Sequence, residues 1–442
     1  MKSFITYLCV FALLLCMVSC TQTQSGDPVD GSSSVQDETT AQDETTAQDE
    51  TTGKDPEETQ PQQEVIEPMD PATYPLNSNT KGIKVLGVRQ YASTGFFTCD
   101  WTGSGLEMDV RHSGGDIVFT ASATSNCYFR AYVDGEAVNA TANSVYFTVG
   151  TAKTKITLKD IPNGVHRIKL IKVTGYTIAN AQLYDVTFAG TINETAPADN
   201  EHYIEFVGDS ISCAWGTIGG HSGTYTDQDG TLAYPLKLAE ALGADYSVTA
   251  LSGKGLIYGN PEMTTGYQYA SIWRSNTEKY DFARQADIVV INIGTNDYSK
   301  RSSDNISASD FKAAYLAFLK AVAEKNGDDC VIYCLYNTMN DTFQNEILAA
   351  VAEFGGEAKN CYTVKLERTA SGHPTIAENE KYTAQLLPLL QAKLPAPGDS
   401  DVNPNLPATP PTPTLPSGET LKGEASGYGE EIDYSADEWQ NE

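Results

Sequence analysis

From residue 203 to residue 394 the chain alternates short apolar runs with helix-forming stretches, and that order admits few folds. The runs 203–207, 246–249, 287–293, 330–335 and 361–366 are rich in β-branched and aromatic residues, as strands buried on both faces must be. The clearest helix between them is predicted over about 310–325, with Phe311, Tyr315, Phe318, Leu319 and Val322 on one face and Ser307-x-x-Asp310 as a capping-box-like start. A second amphipathic helix is expected over 376–394. Repeated β-then-α order predicts an open, doubly wound sheet in a three-layer α/β domain over residues 197–397, with its ligand site beyond the carboxyl ends of the strands.

The preceding stretch reads differently. Between residues 82 and 191 short alternating runs such as 116–123 and 128–133 are separated by turn residues, and helical periodicity is lacking. Asp134-Gly135 stands where a tight hairpin needs it, and Asn163-Gly164 marks another turn. Eight or nine such strands predict an all-β sandwich, a jelly roll, over residues 80–196.

Outside these two domains composition takes over. Residues 1–20 have the layout of an export signal ending at Cys20, with an apolar run too short to span a bilayer of about 30 Å. Residues before Cys20 resemble a lipobox, so the expectation is an exported, lipid-anchored protein at a bacterial cell surface, meeting the membrane only through a lipid on Cys20. Residues 21–79 include three tandem QDETTA or QDETTG copies and are expected to form a disordered acidic tether; residues 398–442, a Pro/Thr-rich acidic tail, are expected to be disordered too. Residues 21–70 hold 14 acidic side chains against one lysine, and residues 399–442 hold 10 against one, together −22 of the formal −29. The acidity therefore belongs to the tails and makes nucleic acid an unsuitable partner.

Of nine cysteines, six lie beyond Cys20, and no CxxC pair or Cys/His cluster has zinc spacing, so neither metal nor cofactor is expected. Cys99 and Cys127 are a conceivable pair within the β domain; Cys330 and Cys334 read as buried thiols.

Three clusters follow predicted strands. Gly208-Asp209-Ser210 closes the first, Ser252-Gly253-Lys254-Gly255 the second and Gly294-Thr295-Asn296-Asp297 the third, while His373-Pro374-Thr375 precedes the last helix. A phosphate loop does not fit, because Gly255 replaces the required Ser/Thr and Val248 the first glycine. Glycines 216, 219, 220 and 223 lack the G-x-G-x-x-G pattern of a dinucleotide site.

Four such motifs in this order resemble the SGNH (GDSL-type) hydrolases. Further matches at Trp101-Thr-Gly-Ser-Gly105, Tyr132-Val-Asp-Gly135, Gly164-Val-His-Arg-Ile-Lys-Leu170 and Ser252-Gly-Lys-Gly-Leu256 resemble carbohydrate esterase family 2, whose members join a jelly roll to an SGNH domain of flavodoxin-like architecture. The resemblance implies a carboxylic ester hydrolase that removes acetyl groups from xylan, mannan or related oligosaccharides through an acyl-serine intermediate; a monomer is expected. It implies Ser210 as nucleophile, His373 as base, and the N–H groups of Ser210 and Gly253 with the Asn296 amide as oxyanion hole. Asp209 and Asp297 are supporting residues of the same motifs; Trp215 and Tyr298, which follow them closely, are candidate sugar contacts or core residues. His112, His166, His202 and His221 have no supporting motif and read as packing or surface residues.

One position departs from the family. The aspartate expected three residues before the histidine is Ala370, which predicts a Ser/His dyad oriented by a backbone carbonyl, with Glu367 as the alternative partner. Two other functions suit the same residues: a surface glycan-binding protein with a decayed site, and an esterase for other short-chain acyl esters.

Overall fold

The computed structural model describes residues 64–394, apart from 90–91, 220–223, 272–278, 342 and 369–371. The export signal with Cys20, most of the tether, the acidic tail, His221 and Ala370 lie outside the described residues.

Among the described residues the N-terminal part contains eleven strands: β1 (Pro71–Pro75), β2 (Ile83–Leu86), β3 (Phe97–Cys99), β4 (Gly105–His112), β5 (Gly115–Ala123), β6 (Cys127–Val133), β7 (Glu136–Ala137), β8 (Phe147–Val149), β9 (Thr154–Ile161), β10 (Gly164–Lys172) and β11 (Ala181–Ile192). All pairings among them are antiparallel. β11 serves two sheets: its first half, from Ala181 to Thr187, pairs with β5, and its last three residues, Gly190 to Ile192, pair with β4. Alternate side chains from both sheets, among them Met108, Val110, Phe119, Phe129, Ile156, Ile168, Leu183 and Phe188, fill one apolar interior. The Asp134-Gly135 hairpin forms as expected, with Val133 opposite Glu136.

One boundary differs from the sequence reading. The β layer begins at Pro71 rather than at residue 80: β1 lies along β11, with Thr73 opposite Thr187, and the Tyr74 hydroxyl donates to the Gly190 carbonyl at 2.6 Å. Cys99 and Cys127, whose pairing the sequence leaves open, are both buried, as are Cys213, Cys330, Cys334 and Cys361.

The C-terminal part contains β12 (Tyr203–Gly208), β13 (Asp245–Ala250), β14 (Ile288–Asn292), β15 (Val331–Tyr336) and β16 (Cys361–Lys365), with α1 (Tyr234–Ala241), α2 (Met263–Gly266), α3 (Thr295–Lys300), α4 (Ala308–Asn326), α5 (Gln344–Phe354) and α6 (Ile376–Gln391). The five strands are parallel in the order β13-β12-β14-β15-β16, the 2-1-3-4-5 order of flavodoxin-like sheets. Each face is covered. Val207, Val289, Ile291, Ile332 and Cys334 pack under Phe311, Tyr315, Phe318, Leu319 and Val322 of α4 and Ile347 and Val351 of α5. Ile204, Phe206, Ile288, Val290 and Tyr333 point the other way, against Leu238 of α1 and Tyr382, Leu386 and Leu390 of α6. The α4 face is the one its spacing predicts, and the Ser307 side chain accepts the Asp310 N–H as its N-cap.

The two parts share their cores. Trp101 and Tyr176 from the β layer pack with the α4/α5 face, and Ile171 and Val173 pack with the α1/α6 face. Arg89, just after β2, pairs with Glu205 of β12 at 2.6 Å, both about fully buried at 1% exposure. Lys84 of β2 reaches Asp245 of β13 at 2.8 Å.

Candidate active site

The rim of the parallel sheet is set by register. Gly208 of β12 lies beside Ala250 of β13 and Asn292 of β14, so the three strands end level with one another. The chain leaves each end into a motif read in the sequence: Asp209-Ser210, Ser252-Gly253-Lys254 and Thr295-Asn296-Asp297. β12 is where the strand order reverses, the position at which open α/β sheets bind their ligands.

His373 arrives from the far side. It follows β16 and immediately precedes α6, whose N-cap Thr375 and Glu378 form a reciprocal capping box. α6 returns across the sheet to pack on α1, with the Tyr234 and Tyr382 rings 6.4 Å apart. This places His373 Nε2 2.8 Å from Ser210 Oγ, within hydrogen-bond reach across 163 residues of sequence. The Trp215 ring stands beside the imidazole, centroids 6.1 Å apart, and the Trp215 backbone N–H donates to the Ser210 carbonyl at 3.0 Å.

The other two motifs are tied to the serine loop and to each other. Residues 251–254 form a turn in which the Lys254 N–H donates to the Leu251 carbonyl, and Gly253 occupies its third position at φ +73°, the geometry that makes glycine the natural residue there. The Asn296 amide donates to the Lys254 carbonyl at 2.8 Å and approaches Asp209 Oδ2 at 3.5 Å. Asp297, fully buried, accepts three consecutive backbone N–H groups, from Leu256 at 2.7 Å, Ile257 at 2.9 Å and Tyr258 at 3.0 Å. Gly255 must be small for this clamp to form, since a Cβ there would lie 2.3 Å from Asp297 Oδ2.

Both acids are held toward their neutral forms. Burial pushes Asp209 up to about 7, against the Ile211 N–H, which stabilises the carboxylate; the neighbouring Asp297 charge adds to the rise. Burial also raises Asp297, opposed by the three N–H groups it accepts.

The remaining sequence candidates divide. Tyr298 packs edge-on against Phe343 at 5.5 Å, with the Arg301 guanidinium 3.8 Å from its ring centroid. Glu367 is exposed, and its backbone N–H donates to the Gln385 side chain at 3.2 Å. His112 bonds the Ala189 and Gly115 carbonyls, and His166 bonds Asp134 and the Pro162 carbonyl, as packing histidines do. Among the described residues no cluster of His, Cys, Asp and Glu is arranged to hold a metal ion, and no helix is long and apolar enough to cross a membrane.

Sequence reading missed the polar residues directly beneath the pair: Ser212, Tyr234, Asn292 and Asn379. Asn379 carried a signal, being a polar residue in register with Tyr382, Leu386 and Leu390 on the buried face of α6.

Residues 206–398 match the family described as GDSL-like Lipase/Acylhydrolase. The chain is 30% identical over 255 residues to the cellulase/esterase CelE of Acetivibrio thermocellus, covering 54% of this chain and 29% of that protein. It is 23% identical over 217 residues to an acetylxylan esterase/glucomannan deacetylase of Cellvibrio japonicus, covering 45% and 60%. The chain thus spans less than two thirds of the length of each of these curated relatives. Among solved structures, a family two carbohydrate esterase from Clostridium thermocellum in complex with cellohexaose superposes with a TM-score of 0.61 at 26% identity, covering 71% of this chain and 100% of that one.

Proposed function

We propose, on the premise that residues 206–398 are a GDSL-like lipase/acylhydrolase domain, that the protein is a serine esterase removing O-acetyl groups from polysaccharides or oligosaccharides of the xylan or mannan type. The observation that carries the reading is the 2.8 Å contact between Ser210 Oγ and His373 Nε2 at the rim of the sheet.

Ser210 Oγ attacks the acetyl carbonyl carbon as His373 Nε2 takes its proton. The carbonyl oxygen becomes an oxyanion, received by the N–H groups of Ser210 and Gly253 and by the Asn296 amide. Collapse breaks the bond to the sugar oxygen, which takes the proton from His373 and leaves, with acetyl on Ser210. Water, deprotonated by His373, then attacks the acetyl-serine; acetate departs and Ser210 recovers its proton. Asp297 supports this site by fixing the loop after Gly253, and Asp209 by its contacts at Ile211 and Asn296. Trp215 forms a wall of the sugar site beside His373.

With alanine at position 370, the reaction runs on a Ser/His dyad. We further read the β layer as a jelly roll, supported by two antiparallel sheets joined through β11, and Cys20 as the point of lipid attachment at the cell surface, supported by the export-signal layout of residues 1–20.

The test is acetate release from acetylated xylan and acetylated glucomannan by the purified protein. Release that exceeds the Ser210→Ala background supports the reading, and the ratio of the two substrates defines the preferred backbone. No release from either polymer or from a small acetyl ester overturns it.

A further inference from the structure

A continuous set of buried hydrogen bonds runs beneath the Ser210–His373 pair, from the loop that carries the serine to the loop that carries the histidine. On the serine side, the Ser212 and Tyr234 hydroxyls share a hydrogen bond of 2.8 Å, and the Asn292 amide donates to the Tyr234 hydroxyl at 3.3 Å. On the histidine side, Asn379 has 0% exposure, and its amide donates to the Pro374 and Thr375 carbonyls at 3.2 and 3.0 Å. Its Oδ1 closes the circuit by accepting the Tyr234 N–H at 3.0 Å.

That last bond answers a local need. Tyr234 is the first residue of α1, and Ala233 at the N-cap offers no side chain to accept the free N–H groups of the first turn. Asn379, from another helix, supplies an acceptor to the Tyr234 N–H. In doing so it fixes α6, and with it the peptide just after His373, against the residue whose hydroxyl bonds Ser212 of the serine loop.

We propose that Asn379, acting with Tyr234, is a positioning residue that sets His373 Nε2 against Ser210 Oγ. The inference rests on the serine-esterase reading for the use of the pair and goes beyond it in assigning what holds the pair together. Neither side chain has a contact with Ser210 or His373 in the network described, so the effect is transmitted through Ser212 and Pro374. Removing either partner strands buried polar groups and frees the histidine loop to shift. A displacement of about 1 Å in such a site costs roughly 100-fold in rate.

The readout is the labelling rate of Ser210 by a fluorophosphonate, which requires an activated serine but no particular acyl substrate, measured on the full chain. Asn379→Leu is expected to slow labelling by about 10- to 100-fold while circular dichroism shows a folded protein, and to cause no further slowing in a His373→Ala background. A merely structural role would slow both backgrounds alike. If Asn379→Leu does not fold, Tyr234→Phe keeps the backbone N–H that bonds Asn379 and loses only the hydroxyl; about 3- to 10-fold slowing, again absent without His373, is expected. Labelling within twofold of wild type in the folded variant, or equal slowing in both backgrounds, overturns the proposal. Wild-type labelling without acetate release would sink the substrate reading alone; a wild type that does not label would sink both.

Discussion

His373 Nε2 lies 2.8 Å from Ser210 Oγ because the strand order and one helix crossing cooperate: β12 delivers the serine at the sheet's reversal point, and α6 returns from the β16 edge to lie on α1. A pair that acts as a unit loses its function when either member goes. Ser210→Ala and His373→Ala should each lower kcat for acetate release by about 1,000-fold or more, and the double variant should be scarcely worse than the poorer single one. Multiplicative losses in the double variant would mean that the two residues act separately.

Gly253 and Gly255 are two residues apart and should fail differently. A Cβ at Gly253 meets nothing within 4 Å, so Gly253→Ala pays only for a left-handed backbone, about 1–2 kcal/mol, while re-aiming the N–H assigned to the oxyanion. A Cβ at Gly255 drives into the Asp297 carboxylate and displaces it from three N–H donors, each of which costs about 1–3 kcal/mol when left buried and unpaired. Chemical denaturation should therefore rank Gly255→Ala well below Gly253→Ala in stability. The reverse ranking would show that the Asp297 clamp contributes little.

The strand-ending motifs were legible because each obeys a local rule: an apolar run, then a turn residue, then a polar side chain at a level rim. The helical face from Phe311 to Val322 was legible from its period. Pairings between distant segments leave no such trace. Pro71–Pro75 reads as linker because prolines close both ends and no apolar alternation marks it, yet it finds an edge along β11. The division near residue 197 followed a change of periodicity, which says nothing of Trp101 and Tyr176 entering the other part's core. Glu205 was the visible clue, a charge inside the run 203–207, but its partner Arg89 lies 116 positions upstream and only folding reveals it.

Asp209 makes stability depend on pH with an unusual sign. Its folded-state pKa, near 7, lies above its ordinary 3.8. Below about 3.8 the carboxyl is protonated folded or unfolded, and its contribution is fully present. Between 3.8 and 7 the folded form holds a proton that the unfolded form has released, so stability falls as pH rises through this window and levels off above it. The full effect is at most on the order of 4 kcal/mol. Asp209→Asn keeps an acceptor for the Ile211 N–H and removes the titration, so the variant should gain on wild type between pH 5 and pH 8 in paired thermal melts. A difference that stays constant over that range would contradict the assignment.

The Arg89–Glu205 pair joins the β layer to the parallel sheet in the least forgiving way. The guanidinium sits 4.4 Å from the ring centroids of Tyr267 and Tyr280 and 4.7 Å from that of Phe282, while Tyr267 donates its hydroxyl to the other Glu205 oxygen at 2.7 Å. Arg89→Met leaves a carboxylate buried without its cation, which should cost about 3–5 kcal/mol. Replacing both ends, as Arg89→Met with Glu205→Leu, removes the stranded charge and should recover part of that loss, although it also frees the Tyr267 hydroxyl. Urea denaturation of the two single variants and the double one gives the coupling directly. A double variant less stable than the sum of the singles would show that the pair is not the unit, and that each charge is instead held by its aromatic and hydroxyl neighbours.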